Sequence, residues 1–342
     1  MERRLGLGVV GINPRIRRAI LAGIVASSRG RLVAVCSRSP EKAAEAAREF
    51  GGTPYFSFRT MLNDRDVEAV VVCTPHGFHP AMAIDALRAG KLVICEKPMG
   101  LTVTDAAAMC DVAEVSGLPT VVNFTYHSLP GHRFVARLLS EGVIGNAKHL
   151  DLSYWQARQG LAEAGMSDAI VDLGSHLLDL ATWWSNEAGA GDIRSIVGHD
   201  DGGTERGVRI WGALARTGTG TLITIQADRL AAGWRNGMIG RLVGEAGCLT
   251  LTFDTDAVEV QLARFGDGSA EGIARVLPIP ADLAVGYQEF PAFHVDRLIA
   301  GLRGEIVFPD FAYGLRCQRL IEASIESSQT KQWVSLVPQS PR

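Results

Sequence analysis

What this chain lacks narrows its function before any motif is read. No apolar run reaches the roughly 20 residues that a membrane-spanning helix needs. The basic start Met1-Glu2-Arg3-Arg4 is followed by glycines and prolines, not by an apolar signal core. The expectation is a cytoplasmic protein with no membrane partner. Excess charge of one sign is also missing: the formal net charge is −3, which gives no footprint for nucleic acid or an anionic membrane. There is no CxxC and no cysteine–histidine spacing of a metal site. The six cysteines (36, 73, 95, 110, 248 and 317) read as reduced thiols, and no metal is expected. Internal repeats and low-complexity segments are absent.

What is present is ordinary globular material, 342 residues with 47% hydrophobic and 21% charged, enough for two cores. From Leu5 to Phe124 buried-strand runs alternate with helical ones. The strand runs are Leu5–Val10, Leu32–Cys36, Ala69–Cys73, Lys91–Cys95 and Pro119–Phe124. Between them, Pro14–Ser27 has helical apolar spacing, Ser39-Pro40-Glu41 starts a helix, and Pro80–Ala89 and Thr104–Ser116 are closed by Gly90 and Gly117. Continuous Val/Leu/Ile strands alternating with helices predict a parallel sheet covered on both faces, a doubly wound Rossmann domain over 1–124.

After residue 125 the pattern changes. Helical runs at Phe134–Ser140 and Ala169–Trp184 flank a strand at Ala147–Tyr154. Strand-like runs follow at Val208–Arg216, Thr219–Gln226, Met238–Val243, Cys248–Phe253 and Val258–Ala263, with Gly218-Thr219-Gly220 as a hairpin turn. Two helices, Phe290–Leu302 and Tyr313–Ser328, close the chain. This predicts an α+β domain over 125–342 with one large, mostly antiparallel sheet, and an α/β protein as a whole.

The dinucleotide fingerprint G-x-G-x-x-G is only partly present. The segment is Gly11-Ile12-Asn13-Pro14-Arg15-Ile16, so the second and third glycines are replaced by Asn13 and Ile16. A helix N-terminus still follows a strand there, and its N–H groups favour a phosphate. Asn13 suits a positive φ, and Pro14 the first helical turn. After Leu32–Cys36 no acid is available to grip ribose hydroxyls. Ser37 and Arg38 instead offer a hydroxyl and a guanidinium to a 2′-phosphate, which favours NADP over NAD. Thr74, Pro75, His76 and His79 follow the strand run Ala69–Cys73, at the sheet edge where ligands lie. Thr74 and Pro75 are placed to cover a cofactor, and His79 to cap its helix or face the nicotinamide.

Glu96-Lys97-Pro98 ends another strand run at that edge. A lysine there can bind a substrate oxygen and place positive charge beside a forming alkoxide. The run Asp172-Leu173-Gly174-Ser175-His176-Leu177-Leu178-Asp179 is helical and largely apolar, with Asp172, His176 and Asp179 at i, i+4 and i+7 on one stripe. Buried ionisable groups are costly without a purpose. The expected purpose is proton transfer from an alcohol, with His176 as base, Asp172 orienting it, and Gly174 leaving one face clear for close approach.

Leu87–Met99, with Glu96-Lys97-Pro98 at its end, resembles the E-K-P stretch of the Gfo/Idh/MocA oxidoreductases. Asp172–Asp179 is similar to their D-x-G-x-H-x-x-D helix, and Glu141-Gly142-Val143-Ile144-Gly145 to their E-G-x-I-G turn. The resemblance, nearly chain-long, implies a Rossmann domain followed by an α/β domain whose sheet packs on another subunit's sheet, giving a dimer or tetramer. It implies Lys97, Asp172 and His176 as the catalytic trio and a cis Lys97–Pro98 bond. The residues at the strand ends, read by themselves, place the cofactor on the loop at Gly11–Arg15, on Ser37, Arg38, Thr74, Pro75, His76 and His79, and on Glu96 and Lys97. The resemblance also implies substrate contacts from Tyr126, His127, Trp155 and Trp234. Three departures bear on cofactor geometry and substrate: the two missing glycines, Met166-Ser167-Asp168 in place of a glycine-rich lead-in, and no arginine beside Tyr126. The expected function is NAD(P)-dependent hydride transfer to or from a sugar, inositol or similar polyol. An NAD-dependent glycosidase working by transient oxidation and a silent dinucleotide sensor are the alternatives.

Overall fold

A computed structural model describes residues 3–157, 168–203, 207–254, 257–266 and 272–336. Its contacts divide the chain into two compact units, Met1–Ser128 with Val285–Gln318, and Leu129–Ala284 with Arg319–Arg342. The division is therefore not a single cut at residue 124.

In the first unit six strands, β1 (Leu5–Val10), β2 (Gly30–Cys36), β3 (Thr53–Tyr55), β4 (Ala69–Val72), β5 (Leu92–Glu96) and β6 (Thr120–Asn123), form a parallel sheet. The order is β3-β2-β1-β4-β5-β6, the doubly wound order that the alternation predicts. Every residue of β1 and β4 is buried, as a sheet covered on both faces requires. Only β3 escaped sequence reading, because three residues containing a proline carry no periodicity.

Separate apolar clusters cover the two faces. On one, Ala83, Leu87, Ala106 and Met109 come from the helices His79–Arg88 and Val103–Ser116. On the other, Ile16, Ile20, Leu21 and Ile24 pack with Val295, Leu298, Ile299 and Leu302 of the helix Phe290–Leu302. That late helix is why Val285–Gln318 belongs to the first unit. It lies so close to the first helical segment that a Cβ on Gly23 would come within 2.5 Å of the Pro291 carbonyl oxygen. The first segment is not one regular helix: α-turns at Pro14–Ile16 and Ala22–Ala26 flank a wider π turn at Arg17–Leu21.

The second unit holds nine strands among the described residues: β7 (Ala147–Trp155), β8 (Ile193–Asp200), β9 (Ile210–Thr217), β10 (Leu222–Asp228), β11 (Gly237–Gly244), β12 (Gly247–Asp254), β13 (Ala257–Arg264), β14 (Arg275–Leu277) and β15 (Val334–Ser335). Their order is β14-β13-β12-β11-β7-β10-β9-β8-β15. All neighbours are antiparallel except β7 and β10, which confirms a mostly antiparallel sheet. Gly220 (φ 88°) lies in the turn between β9 and β10, where the hairpin was expected. Trp184, from the helix Ser175–Glu187, packs so tightly on the sheet that a Cβ on Gly240 would sit 2.6 Å from its ring. Among the described residues no helix is long and apolar enough to cross a membrane.

Candidate active site

Each unit carries its own group of polar residues. In the first, they lie just beyond the carboxyl ends of β1, β2, β4 and β5. Gly11, at φ 92°, is required there. A Cβ would stand 2.6 Å from the carbonyl of Cys73 and the amide nitrogen of Thr74. Asn13 plays a different part from the one expected: its backbone is extended (φ −140°), and its Oδ1 accepts from the Ile16 N–H at 3.0 Å. It is a helix cap, so its fitness for positive φ is not used. Ile16 is buried where the fingerprint would place its last glycine.

Ser37 is half-buried, and its Oγ accepts from the Ser39 N–H. Arg38 is exposed and lies over the Phe78 ring, 5.4 Å from its centroid. Ile12, Thr74 and His76 are half-buried, and Pro14 and Pro75 are exposed. His79 does not offer a face to a ligand. It is 1% exposed, with Nδ1 2.9 Å from the Pro98 carbonyl oxygen and Nε2 2.7 Å from that of Thr74. Both ring nitrogens are occupied by the chain itself, so His79 acts through the backbone that it holds.

Lys97 is half-buried at the end of β5, and the Lys97–Pro98 bond is cis. Beside it Glu96 is buried. Its Oε1 pairs with Arg15 at 2.9 Å and accepts from the Asn123 amide at 3.0 Å, while its buried Oε2 has no hydrogen-bond partner. This unpartnered acceptor suits a ligand that donates from hydroxyl or amide groups, as a nicotinamide dinucleotide can. Tyr126 and His127 are buried in a turn after β6, where the His127 ring meets Phe124, Phe308 and Tyr313. The neighbouring thiols are not nucleophiles. Burial pushes Cys36 up to about 11, and burial together with the Glu96 charge raises Cys73 and Cys95 well above the ordinary thiol range.

His294 is a member of this group that sequence reading missed. Its ring is buried, with Nδ1 2.8 Å from Ser128 Oγ and Nε2 2.8 Å from Asn123 Oδ1. Burial holds its pKa down to about 4, and burial also lowers that of His79. In the unfolded chain an imidazole takes up its proton near pH 6.5. Acid therefore favours the unfolded chain: stabilisation by the neutral ring is complete above about 6.5 and is lost as pH falls through about 4. The thermal midpoint should fall across that window, and less steeply for His294→Gln. An unchanged slope in the variant would contradict the assignment.

In the second unit the expected acid–imidazole stripe is modified. Ile170–Gly174 winds as a π turn, and the regular helix starts only at Ser175. The wider turn breaks the phase of the i, i+4, i+7 stripe. Asp179 is fully buried, whereas Asp172 and His176 are half-buried. Met166 and Ser167 lie outside the described residues. Asp168 accepts from the Ile170 N–H at 2.8 Å. Gly174 does have a close neighbour, but it is the protein's own Trp211: a Cβ would lie 3.0 Å from that indole.

Asp172 is ion-paired with the buried Arg229, which directly follows β10. The His176 ring lies 6.3 Å from that of Tyr154. The Tyr154 hydroxyl donates to Asn236 Oδ1 at 2.5 Å, and the Gln156 amide donates to the same oxygen. Trp155 and Trp234 meet with ring centroids 5.3 Å apart, and Gly237 leaves the space that the Trp234 ring fills. Sequence reading had found the two tryptophans but not Tyr154, Gln156, Arg229 or Asn236. The one available signal was that an acid on a buried helix needs a counter-charge. Nothing local distinguished Arg229 from the chain's other arginines.

Residues 5–124 match the GFO_IDH_MocA family, described as an oxidoreductase family with an NAD-binding Rossmann fold. Levoglucosan dehydrogenase of Pseudarthrobacter phenanthrenivorans is 28% identical, over 89% of each chain. The dTDP-3,4-didehydro-2,6-dideoxy-alpha-D-glucose 3-reductase of Streptomyces violaceoruber is 31% identical over 73% of each. Among solved structures, levoglucosan dehydrogenase in complex with NADH and L-sorbose matches with a TM-score of 0.86 and 25% identity, covering 99% of this chain and 100% of that one. With the doubly wound sheet and the Glu96-Lys97-Pro98 strand end in place, the chain belongs to the Gfo/Idh/MocA oxidoreductases and is a nicotinamide-dependent dehydrogenase or reductase acting on a CH–OH group.

Proposed function

We propose that this protein oxidises a secondary hydroxyl of a sugar, anhydrosugar or inositol-like polyol, or reduces the corresponding ketone. The observation that carries this reading is the second unit's polar group, with Asp172 held by Arg229 and a half-buried His176 beside Tyr154, whose hydroxyl shares Asn236 Oδ1 with the Gln156 amide; Trp155 and Trp234 form a separate pair of indoles. Amides and a phenol suit the hydroxyls of a polyol, and indole faces suit its C–H faces. The curated relatives named above act on a carbohydrate or a nucleotide-linked sugar, in line with this class. They are dehydrogenases and reductases, so a glycosidase or a silent sensor gains no support from them.

A bound nicotinamide would supply or accept the hydride. Gly11, Ile12, Asn13, Pro14 and Arg15 would hold its phosphates, Ser37, Arg38, Thr74, Pro75 and His76 its adenosine half, and Glu96 and Lys97 its nicotinamide end. In the oxidative direction His176 takes the hydroxyl proton. The Lys97 ammonium stabilises the negative charge that forms on that oxygen. Asp172, fixed by Arg229, orients His176. Tyr126, His127, Trp155 and Trp234 contact the rest of the substrate. The enzyme works in the cytoplasm as a dimer or tetramer assembled through the nine-stranded sheet. In support, β9 alternates buried Trp211, Ala213 and Ala215 with exposed Leu214 and Arg216. A panel of sugars, anhydrosugars and inositols, followed by reduced-nicotinamide absorbance with NAD and NADP separately, tests the reading. No turnover with any member would reject it.

NADP is the proposed preference, through Ser37 and Arg38. Converting Ser37 to Asp and Arg38 to Ala should lower the NADP/NAD ratio of kcat/KM by about tenfold or more. The acid accepts from ribose hydroxyls and repels a 2′-phosphate. If Arg38, resting on Phe78, only flanks the adenine, both cofactors would weaken alike and the ratio would not move.

A further inference from the structure

The buried contacts of Glu96 continue into a chain of four side chains, and charge at one end sets the direction of each bond. A carboxylate can only accept, so the Asn123 amide must give an N–H to Glu96 Oε1, at 3.0 Å. The Asn123 oxygen is then left to accept, and its neighbour at 2.8 Å is His294 Nε2. His294 is buried and its pKa is held down to about 4, so the ring is neutral and carries one proton. That proton sits on Nε2, and Nδ1 accepts from the Ser128 hydroxyl at 2.8 Å. One tautomer and one amide orientation satisfy the whole series.

The ends of this series are not ordinary core positions. Glu96 immediately precedes Lys97, at the carboxyl end of β5. Asn123 is the last residue of β6, and Ser128 closes the short turn Thr125–Ser128 that carries Tyr126 and His127. His294 therefore grips that turn on both sides and reaches Glu96 through Asn123. All four groups belong to the first unit. His294 comes from the late helix Phe290–Leu302, where its ring stacks on Phe290 at 5.7 Å. A purely apolar residue would fill the space as well. An imidazole in this place adds direction.

We propose that His294 is a positioning residue for the reaction, setting Lys97 and the Tyr126–His127 turn relative to one another through Asn123, Glu96 and Ser128. The proposal rests on the reading that Lys97 acts at the substrate hydroxyl. His294 is buried with both ring nitrogens engaged by Asn123 and Ser128, so its loss should appear in turnover and not in dinucleotide affinity. His294→Phe keeps the ring volume and the stacking on Phe290 but removes both hydrogen bonds. It should lower kcat about tenfold or more, since small displacements of reacting groups have effects of that size. The dissociation constant for the reduced dinucleotide, from fluorescence titration, should change much less. His294→Gln can still donate to Asn123 and accept from Ser128, and should restore most of kcat. Pairing His294→Phe with Asn123→Leu should lower kcat little further, because both interrupt the same series.

A His294→Phe enzyme with wild-type kcat would overturn the proposal, as would a Gln variant no better than Phe. So would a fall in melting temperature with kcat per folded enzyme unchanged, which marks a structural role only. If His294→Phe does not fold, Ser128→Ala removes a single hydroxyl, and the same split between kcat and dinucleotide affinity is read from it. Lys97→Ala separates the two levels of the argument. Full activity in that variant rejects the reading of Lys97, whereas a large loss there with none in the His294 and Ser128 variants rejects this proposal alone.

Discussion

Replacing Lys97 with alanine is expected to cut kcat by about 10²-fold or more, the usual scale for a lost acid–base or charge-stabilising group. Lys97 follows β5, of which Val93, Ile94, Cys95 and Glu96 are buried, so its backbone is held by a packed strand and not by a mobile loop. Such a base places an ammonium where negative charge develops with little reorganisation. Affinity for the dinucleotide should change much less, because the phosphate and adenosine contacts assigned to Gly11–Arg15, Ser37 and Arg38 remain. Steady-state kinetics beside a fluorescence titration of the reduced cofactor makes the comparison. A variant with near-full kcat would remove Lys97 from the chemistry. A loss confined to dinucleotide affinity would make it a cofactor ligand instead.

His176→Ala is expected to have a comparable or larger effect on oxidation, about 10²- to 10⁴-fold. Oxidation needs an acceptor for the hydroxyl proton, and only the neutral imidazole can be that acceptor. In the wild type, kcat/KM for oxidation should therefore fall toward acid pH as the ring takes up a proton. The residual activity of the variant should lack that acid limb. Its dinucleotide binding should stay close to wild type, since the residues assigned to the cofactor lie in the first unit and His176 in the second. Oxidation at the wild-type rate in His176→Ala would eliminate the general-base assignment. Retention of the same acid limb would show that another group titrates. A protein that binds the dinucleotide but turns over no polyol, in wild type and variant alike, would be a sensor and not an enzyme.

The readings that held for the fold were local ones. Ser39 accepts from a backbone N–H at the start of its helix, and Gly117 closes the helix Val103–Ser116 at φ 64°. Such interactions span three or four residues, so the order of side chains along the chain determines them. The same holds for the fully apolar β1 and β4, whose composition already says that both faces are covered. Asn13 shows where local reasoning chose the wrong property. An asparagine suits a positive φ and a helix cap equally well, and only the observed φ of −140° and the bond to Ile16 decide for the cap.

By itself, then, the sequence determined a doubly wound first domain, a second domain with a mainly antiparallel sheet, and the residue types of the proposed chemistry at Lys97, Asp172 and His176. Strand periodicity, capping and short motifs are encoded between near neighbours, which is why these could be read. Tertiary structure alone decided that the helix Phe290–Leu302 completes the first unit, that Arg229 is the counter-charge of Asp172, that Gly174 makes room for Trp211, and that His294 sits between Asn123 and Ser128. Each of these joins residues more than thirty positions apart. No local preference distinguishes one buried arginine or histidine from another. What selects the partner is the cost of leaving a buried charge or hydrogen-bonding group unpaired, and that cost exists only once the chain has folded.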